Sequence, residues 1–211
     1  MLCFENIMEI KMQNYFKTIF IFLLLVLASN SFAQKKSLND IRIGDLLGGG
    51  VVYFIDSSIT PARGLIVAAE DAPDSNGYTW GSFYNRVTTS YDLFSGITNM
   101  ENLDAQDGGS EAAKAATSNN PAPQCSDPIL YCTDWYLPSQ NELMVLWVSK
   151  EIAGLSGFVS QRYWSSTEGG NYHTAWSMTF ADGGGFSDGS GGPINKQNNY
   201  GVRAIRSFVT Y

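Results

Sequence analysis

The apolar positions along this chain change period several times, and each change marks a predicted element. Ile19–Ala28 is an unbroken apolar run, preceded by Lys11 and Lys17 and followed by Ser31-Phe32-Ala33. A positive stretch, a short apolar stretch and small residues at a cleavage point form a secretory signal. The run is shorter than the roughly 20 residues a membrane span needs. Residues 1–33 are therefore expected to leave on export, with Met12 as an alternative start. Residues 34–40 are a short polar lead, and 41–211 form a single domain.

Within that domain Val51–Ile55 and Leu65–Ala69 are rich in β-formers, and Pro61-Ala62-Arg63-Gly64 turns between them. They predict a β-hairpin. Residues 71–120 are mostly polar and irregular, except for a short helix after Ser110 through Ala116, with Ser110 as its cap. Ser139-x-x-Glu142 is a capping box, in which hydroxyl and carboxylate each satisfy a free backbone N–H at a helix start. Leu143, Leu146 and Trp147 follow at helical spacing and are expected to face the core, with Gly154 as the stop. Trp176, Met178 and Phe180 alternate with Ala175, Ser177 and Thr179, the period of a strand. Val202–Val209 is the last predicted strand. It carries Arg203 and Arg206 among apolar residues, so at least one arginine is expected to meet a carboxylate or carbonyls inside.

Composition narrows the function classes. Hydrophobic residues make up 44% and charged ones 16%, which allows a sizeable core. Net charge is −7, and the expected leader removes as many acidic as basic residues. The mature region has no run of Lys or Arg, which argues against nucleic acid as a partner. Of three cysteines, Cys3 leaves with the leader, and Cys125 and Cys132 are expected to pair in an oxidising compartment.

Candidate chemistry is sparse. Asp182–Gly189 has carboxylates and glycines that could wrap Ca²⁺, but not the ordered ligand spacing of a calcium loop, so no cofactor is expected. His173 is the sole histidine, without a nucleophile motif around nearby Ser165, Ser166 and Thr167. Asn171, Tyr172, His173, Asp188, Asn195, Lys196, Asn198, Asn199 and Tyr200 mix amides, tyrosines and a lysine in the way recognition loops do.

Ordered blocks run through the whole mature region. Ile43-Gly44-Asp45, Gly49–Tyr53 and Gly64–Ala68 come first. Asp134-Trp135-Tyr136-Leu137-Pro138-Ser139-x-x-Glu142-Leu143, Tyr163-Trp164-Ser165-Ser166-Thr167-Glu168, Ala175-Trp176 and Val202–Arg206 follow. From about Ile41 to Phe208 the set resembles the Lcl C-terminal domain family, named for a bacterial collagen-like adhesin. The resemblance implies an α+β, C-type-lectin-like fold related to the formylglycine-generating enzymes, with short twisted strands, few helices and long loops. It also implies a non-catalytic surface domain that binds a glycan or a surface protein. No cysteine follows Cys132, so the oxidase chemistry of those enzymes is not expected. Within the blocks, Trp135, Leu137, Trp164 and Trp176 are expected as core anchors, and Glu168 as the ion-pair partner of Arg203 or Arg206. The expected location is secreted, periplasmic or cell-surface. A hydrolase using His173 with a carboxylate, and a structural part of a surface assembly, are the alternatives.

Overall fold

The computed structural model describes residues 41–73, 76–81, 84–107, 110–118, 130–158, 162–180 and 191–210. Strands β1 (Leu46–Leu47), β2 (Gly50–Asp56), β3 (Arg63–Ala68), β4 (Leu130–Cys132) and β8 (Ile205–Thr210) make one sheet in the order β1-β2-β3-β8-β4. Strands β5 (Arg162–Glu168), β6 (Thr174–Thr179) and β7 (Gly192–Asn195) make a second, in chain order. Neighbouring strands are antiparallel throughout. Helices α1 (Gly96–Asp107), α2 (Glu111–Ser118) and α3 (Gln140–Ser149) complete an α+β architecture. Arg42–Tyr211 cluster as one compact unit. None of the described helices is long and apolar enough to cross a membrane.

The expected hairpin is β2 and β3, paired from Gly50↔Ala68 to Asp56↔Arg63 with a shift at Tyr53. β3 continues the sheet by pairing with β8, so the last strand lies beside the second long one. Val52, Leu65, Ile66, Val67, Ile205 and Phe208 are buried there. Removing these branched and aromatic side chains from water, at about 25 cal/mol per Å² of apolar surface, is the main driving force for the sheet.

Both predicted caps form. Ser110 Oγ accepts the Ala113 N–H at 2.7 Å and starts α2. Ser139 Oγ accepts the Glu142 N–H, and the Glu142 carboxylate accepts the Ser139 N–H at 2.6 Å. Beyond α3 the chain turns on to Gly154, whose positive φ suits a residue without Cβ. There Leu155 N–H reaches Lys150 O and Gly154 N–H reaches Glu151 O, the paired bonds of a Schellman stop.

Two expectations about the core need correction. Leu143 and Leu146 are buried, but Trp147 is only half-buried. In β6 the buried positions are Ala175, Ser177 and Met178, and Trp176 is half-buried. In both elements tertiary cover, not periodicity, selected the buried face. Helix α1 was not anticipated: only Met100 and Leu103 are buried apolar side chains in it, too few for a helical signal.

Candidate functional site

The two most specific sequence blocks meet in the interior and hold down an irregular strap, Tyr84–Ser95. Ser166 N–H donates to Pro138 O at 2.7 Å, joining β5 to the entry of α3. Thr167 Oγ1 accepts from Gln140 N–H and donates to Ser90 O, both at 2.9 Å. Glu168 N–H donates to Thr89 Oγ1, and its carboxylate accepts the Val87 N–H. Buried hydroxyls and a carboxylate in β5 thus supply partners for backbone groups that have no sheet to join.

Glu168 is not the partner of Arg203 or Arg206. Its carboxylate lies 2.6 Å from Lys196 Nζ, with side-chain exposures of 4% and 0%. Lys196 also donates to Asn85 O at 2.9 Å and stands over the Trp80 ring. Arg86 approaches the same carboxylate from outside at 3.8 Å. Arg203 pairs with Asp71 at 2.5 Å and donates to the carbonyls of Ala68, Ala69 and Gly157. Arg206 donates to Thr133 O and Gly48 O. The reason is topological. A parallel bridge, Tyr163↔Gly201, sets the Arg203 stretch against the start of β5, whereas Glu168 ends that strand.

The recognition candidates separate into surface and interior groups. Asn171, Tyr172 and His173 form the β5–β6 turn, where Asn171 Oδ1 accepts the His173 N–H at 2.9 Å. The pairing Thr174↔Asn195, with Lys196 N–H donating to His173 O at 3.0 Å, brings the turn after β7 beside it. Asn195 Oδ1 closes that turn by accepting the Gln197 N–H. Asn199 is exposed, and Asn198 donates to the Tyr200 hydroxyl. Two candidates point elsewhere. Lys196 is buried on Glu168, as above. Tyr200 packs its ring on Trp164, 4.8 Å between centroids, and its backbone bridges Tyr78. Asp188 lies outside the described residues, as does the rest of the glycine-rich loop.

The structure adds a residue the sequence did not single out. Tyr84, 75% exposed, meets His173 edge-on at 6.0 Å between ring centroids. Tyr172, 43% exposed, lies 3.9 Å from the other partner of the pair, the same His173 ring. Three rings from two distant segments therefore form one outward cluster, with the Asn171 and Asn195 amides in the adjoining turns. Tyr84 sits in a polar, aperiodic segment, so no spacing rule links it to His173. The Glu168 carboxylate, nearest in sequence to the histidine, is turned inward onto Lys196 and is not placed to serve it as a base.

Among the described residues no group of three or more His, Cys, Asp or Glu is placed to hold a metal. Cys132 is buried in β4 and disulfide-bonded. Cys125, its expected partner, lies outside the described residues.

A second polar centre lies under the strap. Glu142 is buried beneath Gly96, Tyr136 and Tyr53. A Cβ added at Gly96 would run into the Glu142 carboxylate and stand 2.7 Å from Leu137 O and 2.8 Å from the Tyr136 ring. Two of those neighbours are rigid, so Gly96→Ala is expected to cost about 2 kcal/mol by overpacking. A urea unfolding midpoint equal to that of the parent would show that the contact is loose.

No family model matches the chain, and no curated protein aligns with it significantly.

Proposed function

We propose that this is an exported, non-catalytic binding domain of Lcl C-terminal type, with a C-type-lectin-like fold, that recognises a carbohydrate through the Tyr84–Tyr172–His173 cluster. The observation that carries the reading is that cluster. Aromatic rings normally withdraw into the core, and two of these tyrosines instead stand out together beside polar turns. A ring face covers the apolar C–H face of a sugar, while neighbouring amides bond its hydroxyls. Tyrosine with asparagine supplies both at low entropic cost. The fold reading is supported by two small antiparallel sheets, short helices and long connections. The net charge of −7 favours an uncharged sugar over a sulfated one.

The experiment is a glycan array on the mature protein, followed by calorimetric titration of the best ligand. Tyr172→Ala and Tyr84→Ala should each weaken binding by roughly 5- to 30-fold, the 1–2 kcal/mol of an aromatic contact residue. Both side chains are exposed, so melting temperature should not move. An array without retained glycans would favour a purely structural role. A ligand bound equally well by both variants would place its site elsewhere.

A further inference from the structure

The surroundings of Glu142 are unusual for a capping carboxylate, because they serve two segments at once. Its carboxylate accepts the Ser139 N–H at 2.6 Å and the Tyr136 hydroxyl at 3.0 Å, and it also takes a bond from the backbone of Phe94. Phe94 belongs to the strap and has φ +66°, a conformation that costs a non-glycine residue about 1–2 kcal/mol. The same stretch is fastened to α3 by Asn141 N–H donating to Tyr91 O and Ser139 Oγ donating to Asp92 O. Strap and helix start are thus joined through one buried acid.

We propose that Glu142 is a protonation-sensitive latch: its neutral form holds Tyr91–Gly96 closed on the start of α3, and its ionised form loosens that contact.

The titratable groups that face it are phenols, Tyr53 from β2 and Tyr136 from the segment before α3. Its charge pushes both further above the usual phenol range. No cation of the described residues is among the groups that act on it. Arg63 of β3 stacks on the outer side of Phe94, 3.9 Å from the ring centroid, and is not one of them. Burial is the largest influence and pushes the carboxyl up to about 7, against the pull of its hydrogen bonds. Tyr136 suits both states. Its hydroxyl donates to the carboxylate, and its oxygen can accept from the protonated acid.

The sign follows from linkage. A released strap lets water reach the carboxyl, whose value returns toward the ordinary 4.5. The closed form then holds more protons between those two values, so the closed state loses stability as pH rises through the window. From pH 5.5 to 7.5 the opening constant should rise about twentyfold.

The test is amide hydrogen exchange of the purified protein at pH 5.5, 6.5 and 7.5, corrected for intrinsic rates, read at Phe94 and Asn141. Protection should fall about twentyfold in the parent and stay flat in Glu142→Gln. Tyr136→Phe removes one bond that favours the ionised form, so its fall should move to higher pH. That variant decides the matter should Glu142→Gln fail to fold. Constant protection in the parent, an equal fall in Glu142→Gln, or an unmoved profile in Tyr136→Phe would overturn the latch.

Discussion

Glu168→Ala is expected to lower the unfolding free energy by about 3–5 kcal/mol, the usual cost of stranding one member of a buried ion pair. The stranded group is Lys196, fully enclosed and left, among the described residues, with the Asn85 carbonyl and the Trp80 ring. Attraction to a carbonyl and a ring does not replace a carboxylate at 2.6 Å. The strap suffers as well, because Val87 N–H loses its acceptor. For a domain of this size that energy shifts the melting temperature by about 10 °C. Lys196→Met should be milder, since Glu168 keeps Arg86 at the rim. The double variant Glu168→Gln with Lys196→Met should recover part of the loss, because no buried charge is then unpaired. A melting temperature for Glu168→Ala within 2 °C of the parent would mean that water reaches the site and that the pair is not structurally important.

Arg203→Met is expected to cost a similar amount, about 3–5 kcal/mol. One guanidinium ties Asp71 to three carbonyls, those of Ala68, Ala69 and Gly157, and lies 4.2 Å from the Phe158 ring centroid. Methionine fills much of the volume and satisfies none of those acceptors. Asp71 would keep the Tyr163 hydroxyl at 2.6 Å but lose its counter-charge. Arg203→Lys should rescue little, because a compact ammonium lacks the planar fork that reaches separated acceptors. Urea unfolding of the three proteins provides the comparison. Parental stability in Arg203→Lys would show that charge alone matters there and that the fork does not.

Both predictions turn on residues whose burial the sequence signalled and whose partners it did not. The block Tyr163–Glu168 stands out in the sequence only as a motif; the structure makes it a buried strand, whose polar groups need partners. The choice between Arg203, Arg206 and Lys196 for Glu168 depends on where β5 ends relative to β7 and β8. That is a property of sheet order. Lys196 looked like a recognition residue because a lysine among asparagines in a loop ordinarily faces water. Here the β7 turn carries it over Trp80 onto the Glu168 carboxylate.

Elements whose signals are local were legible. The Ser110 cap, the Ser139–Glu142 capping box and the helix stop involve residues three to five apart, and the first hairpin joins adjacent runs of β-formers. Backbone groups at those places find partners within one turn, so a short stretch of sequence decides them. Trp147, Trp176 and α1 were misjudged or missed because burial there depends on what packs against each face.

The candidate site shows the same division. Residues Asn171–His173 and Asn195 could be picked out by type, since tyrosine and amide side chains in turns suit recognition. Their juxtaposition required β6 and β7 to pair, and the third ring came from Tyr84, nearly ninety positions away from His173 in sequence. By itself the sequence determined the local elements, the polar character of β5 and the residue types able to recognise a ligand. Only the tertiary structure decided which charges are paired, which rings are grouped at the surface and which carboxyl is buried away from the cations of the described residues. Those outcomes depend on contacts between segments far apart along the chain, and water is excluded from such contacts only once the whole fold has closed.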